Sequence, residues 1–217
     1  MSEAAWVKLI EVSPGLLWVV FAVVVLLVLR SGIVAQLHRM TSLRTPFGEA
    51  DFEANLALME TAVAEAGSGQ PPTLDEQRAA ISRLDHAAES LRNGRVLWVD
   101  DNPGWNSSVV RLLERSGMRV EIAVTTEEAL TALSRRTYDL LITDMRRGND
   151  GQAGQRLVEE MAARGMTLPI VLFTLNFDPR RGVHPSVFAY TTAVDELLHF
   201  VIDIMERVRF ARVAVRR

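Results

Sequence analysis

The chain has 217 residues, enough for one full domain and a smaller appendage. It contains no cysteine, which excludes disulfides and thiolate metal sites. A formal net charge of −3 gives no indication of a nucleic-acid partner. Lys8 is the only lysine, and this becomes important for the predicted site.

The first recognisable element is an apolar segment that follows the short N-terminal leader, residues 1–11. Residues 12–29 carry no charge, and Leu16 to Leu29 contains only Leu, Val, Trp, Phe and Ala. As a helix, these 18 residues reach about 27 Å, near the thickness of a hydrocarbon core. No polar stripe and no Ala-x-Ala cleavage site accompanies the segment, so residues 12–30 are predicted to be a retained transmembrane helix in a lipid bilayer.

The charges that flank this segment predict its orientation. Arg30, Arg39 and Arg44 follow it, whereas Lys8 stands alone before it. Positive charge is enriched on the cytoplasmic side of membrane helices. We therefore expect a single-pass membrane protein with a cytoplasmic C-terminal domain.

Residues 31–94 are predicted to connect the membrane helix to the main domain. In the juxtamembrane segment 31–66, residues 41–53 could form a small hairpin around Pro-Phe-Gly-Glu, and residues 52–66 look helical. The Gly- and Pro-rich residues 67–72 indicate a linker. In the helical spacer 73–94, Thr73 and Glu76 predict a capping box that opens a helix reaching to about Leu91.

The apolar residues of this second helix leave two interpretations open. Its apolar positions repeat with a heptad-like spacing: Leu74, Ile81, Leu84, Ala88 and Leu91. Two heptads are compatible with a coiled coil, and so with a homodimer. They are equally compatible with a helix that packs on its own domain.

Residues 95–217 show a regular alternation of apolar runs and helical stretches. The five predicted strands are nearly continuous apolar runs, as expected when both faces of a sheet are covered: Arg95–Val99, Arg119–Val124, Tyr138–Thr143, Leu168–Phe173 and Val187–Thr191. Asn102 and Pro103 predict a helix start, Thr125 with Glu128 a capping box, and Gly117 and Gly165 helix ends. This alternation predicts an α/β fold with a doubly wound parallel sheet.

Polar side chains lie where three of these strands end. Asp100 and Asp101 follow the first strand, Asp144 the third and Thr174 the fourth. In doubly wound sheets, ligands bind beyond the carboxyl ends of the strands. If the strand order is 2-1-3-4-5, the three carboxylates share a pocket that suits Mg²⁺, and one of them could act as a nucleophile toward a phosphoryl group.

Residues 95–212 resemble the receiver domain of response regulators in two-component systems. The resemblance rests on Val-Leu-Trp-Val-Asp-Asp (96–101), Tyr-Asp-Leu-Leu-Ile-Thr-Asp-Met (138–145) and Ile-Val-Leu-Phe-Thr (170–174). It implies a flavodoxin-like fold and phosphorylation of Asp144 by a histidine kinase or another signalling protein. The implied Mg²⁺ ligands are Asp100, Asp101, Asp144 and the backbone carbonyl of Arg146. The implied switch residues are the Thr174 hydroxyl and the Tyr190 ring.

Two departures from the receiver pattern make this an atypical member. The family lysine at the end of strand five is missing, because no lysine follows Lys8 and the strand ends in Tyr-Thr-Thr (190–192). Residues 175–186 contain two prolines, which argues against a regular fourth helix. The main prediction is a non-enzymatic phosphorelay receiver, and the alternative is an adaptor at the membrane that works without phosphorylation. A metal-dependent hydrolase is a third interpretation, disfavoured because no substrate domain is visible.

Overall fold

The computed structural model describes residues 48–67, 71–174 and 184–215, all within a compact unit, Thr45–Arg217. The predicted leader (1–11) and transmembrane helix (12–30) lie outside the described residues. None of the helices within the described ranges combines the length and the apolar character that a bilayer crossing requires.

A five-stranded parallel sheet forms the centre of this unit. Its strands, numbered in chain order, are β1 (Arg95–Val99), β2 (Arg119–Ala123), β3 (Leu140–Thr143), β4 (Ile170–Phe173) and β5 (Val187–Thr191). They are arranged β2-β1-β3-β4-β5, and every neighbouring pair is parallel. The predicted α/β fold and the order 2-1-3-4-5 are therefore confirmed.

Seven α-helices are described, with the following bounds: α1 (Glu49–Ala66), α2 (Leu74–His86), α3 (Ala88–Leu91), α4 (Ser107–Arg115), α5 (Thr126–Arg135), α6 (Ala153–Ala163) and α7 (Val194–Val215). A single 3₁₀ turn, Pro103–Asn106, precedes α4.

The two faces of the sheet have separate apolar cores. One core contains Val96 and Trp98 of β1 and the buried sides of α4 and α7. The other contains Leu97 and Val99 of the same strand, together with residues of α5 and α6. Neighbouring residues of β1 alternate between the faces because successive side chains of a strand point in opposite directions. Residues 96–99 of β1 are therefore all apolar.

Helices α1, α2 and α3 add a further layer outside α4 and α7. Helix α1 packs on α4 and α2, while α2 and α3 pack on α7. Four of the five apolar positions with heptad-like spacing in residues 74–91 are buried inside this unit, and only Leu74 is exposed. The structure thus favours the second interpretation of these apolar positions, namely a helix that packs on its own domain.

The predicted hairpin at residues 41–53 is wrong in its second half. Residues 49–53 form the first turns of α1 rather than a strand. Gly48 precedes the helix in an extended conformation, and Glu49 and Asp51 place negative charge at its N-terminus, where the helix dipole favours it. Residues 41–47 lie outside the described residues.

Most of the predicted helix boundaries match the structure. The Thr73 hydroxyl accepts a hydrogen bond from the Glu76 backbone N–H, and the Glu76 carboxylate accepts one from the Thr73 N–H at 2.7 Å, which completes the capping box. Gly117 and Gly165 adopt the left-handed conformation (φ of 88° and 68°) at helix ends. Asn102 differs from the prediction: with Pro103 it opens the 3₁₀ turn, and α4 begins at Ser107.

Candidate functional site

The carboxyl ends of β1, β3, β4 and β5 surround one pocket. Two carboxylates and two hydroxyls from residues at these strand ends line it, those of Asp100, Asp144, Thr174 and Thr192, and a third carboxylate, that of Glu65, comes from α1. The strand-end residues are adjacent because β3 lies between β1 and β4 in the sheet. The remaining lining residues are Ala66, Trp105, Asn106, Arg146 and Phe173.

Asp100 is the most buried of the predicted metal ligands, with 7% of its surface exposed. One carboxylate oxygen accepts a hydrogen bond from the Asn102 backbone N–H (2.7 Å), and the other accepts one from the Asn106 side-chain amide (2.6 Å). Burial raises the pKa of this carboxyl; the Asn102 N–H opposes the shift, and the charges of Asp144 and Asp101 add to it. Asp100 therefore carries its negative charge at an energetic cost.

Asp101 lies at the surface, and its carboxylate accepts a hydrogen bond from the Gly148 backbone N–H at 2.6 Å. This contact joins the loop after β1 to the loop after β3. Asp101 does not line the pocket with Asp100 and Asp144. Within the described residues, no group of three acidic or histidine side chains is arranged to hold a metal ion.

Asp144 follows β3 directly and is half-buried. Its backbone N–H donates to the Val99 carbonyl at 3.1 Å, which fixes the residue beside the end of β1. No hydrogen bond from another described residue reaches its side-chain carboxylate. Asp144 thus presents a carboxylate to the pocket from a rigid strand end.

The loop after Asp144 is held against helix α6 by close backbone packing. The Gly154 N–H donates to the Met145 carbonyl at 2.9 Å. A Cβ atom at residue 154 would lie 2.5 Å from the Asp144 carbonyl oxygen and 2.9 Å from the Met145 Cα, both too short for real contacts. Only glycine allows α6 to approach the loop after β3 this closely.

Arg147 places a buried positive charge beside the carboxylates. Its guanidinium donates to the Thr143 hydroxyl (2.7 Å), the Thr126 hydroxyl (2.8 Å) and the Ala153 carbonyl (2.8 Å). Burial lowers the pKa of Arg147, while the negative charges of Asp144, Asp101 and Asp100 act in the opposite direction. An arginine remains protonated under these conditions, so it offsets part of the acidic charge.

Arg146 has a different position from its neighbour. It is exposed, and it lines the pocket together with Asp144 and Thr174. It is the only lysine or arginine that lines the pocket among the described residues. Thr192, which follows β5, also lines the pocket and carries no charge.

The two predicted switch residues occupy different environments. Thr174 is 7% exposed, and its backbone N–H donates to the Thr191 carbonyl at 3.1 Å, which joins the ends of β4 and β5. Tyr190 lies on β5 with 44% of its surface exposed. The structure therefore places Thr174 at the pocket and Tyr190 on the neighbouring strand, outside the pocket lining.

Glu65 and Trp105 line the pocket but were absent from the predicted site. Glu65 belongs to α1, outside the segment that carries the receiver motifs, so no local pattern identifies it. Trp105 lies in the 3₁₀ turn after β1. Its position directly after a Pro-Gly pair, at the end of the sheet where ligands were expected, was a sequence signal that could have identified it as a pocket residue.

Residues 96–184 match the family model of the response regulator receiver domain. This part of the chain is similar to response regulator receiver domains. A curated relative, the gliding motility regulatory protein of Myxococcus xanthus, is 31% identical over 122 residues. That match covers 55% of this chain but 16% of the relative, so it bears on the domain and not on the relative's whole activity.

Solved receiver structures are also similar to this chain. A response regulator of Thermotoga maritima, in complex with Mg²⁺-BeF, is 25% identical and has a TM-score of 0.45; the match covers 51% of this chain and 98% of that one. The non-phosphorylated HemR receiver domain of Leptospira biflexa is 24% identical with a TM-score of 0.46, covering 52% and 94%.

Proposed function

We propose that this chain is a membrane-anchored receiver in phosphorelay signal transduction and that Asp144 accepts a phosphoryl group in a Mg²⁺-dependent reaction. The observation that carries the proposal is the shared pocket of Asp100, Asp144 and Thr174 at the carboxyl ends of three strands. Its phosphoryl donor is a histidine kinase or another signalling protein.

The donor set of the pocket fits Mg²⁺. Two of the three carboxylates that line the pocket, those of Asp100 and Asp144, lie at strand ends, and Mg²⁺ is commonly held by one or two carboxylates with several waters. The raised pKa of Asp100 reflects in part its acidic neighbours, and a cation would relieve that repulsion. Asp101 and the Arg146 backbone carbonyl are also proposed ligands, and one carboxylate oxygen of Asp101 already accepts a hydrogen bond from the Gly148 N–H. When bound, Mg²⁺ supplies positive charge that neutralises the incoming phosphoryl group.

The residues of this chain have separate roles in the transfer. A carboxylate oxygen of Asp144 attacks the phosphorus and forms a new O–P bond. The bond between the phosphorus and the donor atom breaks, and its electron pair leaves with the donor. The Thr174 hydroxyl then donates a hydrogen bond to a phosphoryl oxygen. Tyr190 is the proposed switch aromatic that reports this change from β5.

Arg146 is the proposed cationic partner of the phosphoryl group, in place of the family lysine. It lines the pocket beside Asp144 and Thr174, where a guanidinium can donate to phosphoryl oxygens. Thr192 cannot provide a charge, and the guanidinium of Arg147 is already engaged by Thr126, Thr143 and Ala153.

A titration with Mg²⁺ and beryllofluoride, a phosphoryl mimic, tests this proposal. Trp105 lines the pocket and is 59% exposed, so its fluorescence reports on occupancy. We expect a saturable, Mg²⁺-dependent change in the full chain that is lost in Asp144→Asn. The Trp105→Phe variant is the matched control that identifies which of the 4 tryptophans gives the signal.

The alternative function is an adaptor that binds a partner at the membrane without phosphorylation. Two observations favour it: the absence of any lysine beyond Lys8, and the engagement of Asp101 by the Gly148 N–H. An adaptor predicts no beryllofluoride response in the wild-type chain, together with an unchanged partner affinity in Asp144→Asn.

Residues 12–30 are proposed to anchor the chain in the bilayer, with the receiver domain in the cytoplasm. The support is the uncharged run of residues 12–29 and the arginines that follow it. We expect the full chain to sediment with membranes and to be extracted by detergent, whereas residues 45–217 alone remain in the supernatant. The predicted homodimer is tested by light scattering of the detergent-solubilised chain.

A further inference from the structure

The C-terminal end of helix α1 forms one wall of the acidic pocket. Its residues Glu65 and Ala66 line the cavity together with Asp144, Arg146 and Thr174. Helix α1 lies outside residues 96–184, the part that matches the receiver family model. The pocket of this chain is thus completed by a segment that the family motifs do not include.

Glu65 is held at the pocket by helix α4. Its carboxylate accepts hydrogen bonds from the Ser108 backbone N–H (3.1 Å), the Ser108 hydroxyl (3.0 Å) and the Ser107 hydroxyl (3.3 Å). Ser107 and Ser108 open α4, so Glu65 caps the first turn of that helix from another element. A movement of Glu65 therefore changes contacts at both α1 and α4.

The rest of α1 is packed along the full length of α4. Leu56, Met59 and Ala62 are buried in the same core as the α4 side chains. At the far end, the Arg115 guanidinium donates to the Asn55 side-chain carbonyl at 2.6 Å and pairs with Asp51 at 3.0 Å. The two helices are antiparallel, because Glu65 lies at the start of α4 and Asp51 at its end.

We infer that Glu65 couples the occupancy of the pocket to the packing of helix α1, so that α1 reports phosphorylation in addition to Tyr190 on β5. This inference rests on the function proposed above. A phosphoryl group on Asp144 occupies a cavity whose wall contains the Glu65 carboxylate and the negative end of the α1 dipole. Repulsion weakens the hydrogen bonds that Ser107 and Ser108 donate to the Glu65 carboxylate and loosens the last turns of α1.

Hydrogen exchange of the full chain in detergent tests the coupling. Amide exchange is followed in residues 60–66 and in residues 140–147, before and after the addition of Mg²⁺ with beryllofluoride. A coupling of this kind predicts about fivefold or greater acceleration in residues 60–66 when the mimic binds. The variant is Glu65→Gln, which retains hydrogen bonding without the charge. The matched control is Glu60→Gln, which neutralises an exposed carboxylate on the same helix.

The outcomes separate this inference from the proposed function. Acceleration in residues 60–66 that is abolished in Glu65→Gln and retained in Glu60→Gln supports the coupling. A change confined to residues 140–147, or an identical response in Glu65→Gln, overturns the coupling and leaves phosphorylation of Asp144 intact. No change in either segment contradicts the proposed function, and the coupling falls with it.

Discussion

At the scale of single residues, two adjacent arginines have opposite roles. Arg147 is 7% exposed and donates to two threonine hydroxyls and two backbone carbonyls. Arg146 is exposed and lines the pocket. We expect Arg147 to contribute to the stability of the fold and Arg146 to determine how the pocket binds a phosphoryl group.

Methionine substitutions at these two positions test the assignment. Arg147→Met leaves the hydroxyls and carbonyls without their donor, and we expect it to lower the free energy of unfolding by about 2–4 kcal/mol. Arg146→Met should stay within about 0.5 kcal/mol of wild type but weaken beryllofluoride binding. Urea unfolding and the Trp105 titration measure the two effects. Equal destabilisation by both variants would contradict the division of roles.

Asp100 carries a cost to stability that its proposed function explains. Because its pKa is raised in the folded state, the folded chain binds this proton more tightly than the unfolded chain. The contribution of Asp100 to stability therefore falls as the pH rises from its ordinary value of 3.8 to the higher folded-state pKa. Above that range, the ionised carboxylate destabilises the fold.

The variant Asp100→Asn removes this buried charge while retaining a side chain that can hydrogen bond. We expect it to raise the free energy of unfolding at pH 7, with the gain disappearing at acidic pH, where the Asp100 carboxyl is protonated in both the folded and the unfolded chain. Urea unfolding at several pH values measures the difference, with the exposed Glu114→Gln as control. A loss of stability at pH 7 would contradict the account.

At the scale of secondary structure elements, helix α1 is an integral part of the folded unit. Met59 is fully buried in the core that α1 shares with α4. Met59→Ala is expected to lower the free energy of unfolding by about 2–4 kcal/mol, as for other large-to-small core changes. Leu74→Ala, at a position that is 46% exposed, is the control and should change it by less than about 0.5 kcal/mol. If the two variants unfold alike, α1 does not pack as described.

The sequence was sufficient to predict the sheet because its signal is local. Two of the predicted strands, Arg95–Val99 and Val187–Thr191, have the observed bounds. The other three were predicted one to two residues too long, because apolar residues such as Tyr138 and Leu168 continue the run outside the strand ladder while still facing the core. Strand ends depend on hydrogen-bond pairing, which hydrophobicity does not encode.

The candidate site was predictable only where it rests on strand ends. Asp100, Asp144 and Thr174 meet because parallel strands place their carboxyl ends at one edge of the sheet. The position of Glu65 depends on the packing of α1 against α4, a contact between elements 43 residues apart along the chain. The orientation of Asp101 depends on the turn at Gly148, whose left-handed φ of 56° aims its N–H at that carboxylate.

At the scale of the whole molecule, the described residues form a five-stranded parallel α/β unit that is similar to receiver domains and carries an added helical layer. Helices α1 to α3 cover α4 and part of α7, including an Arg83–Asp203 ion pair between α2 and α7. In the sequence, α1 is the first described element after residues 12–30, the proposed membrane anchor, which lies outside the described part of the chain.

The central claim is that Asp144 accepts a phosphoryl group without the family lysine. Its most direct test is the intact mass of the full chain after incubation with a small acyl-phosphate donor and Mg²⁺, with chelator and Asp144→Asn as parallel samples. The account predicts one phosphoryl group per chain, labile to hydroxylamine and absent from both parallel samples. An unmodified wild-type chain, or a modification that persists in Asp144→Asn, would contradict it.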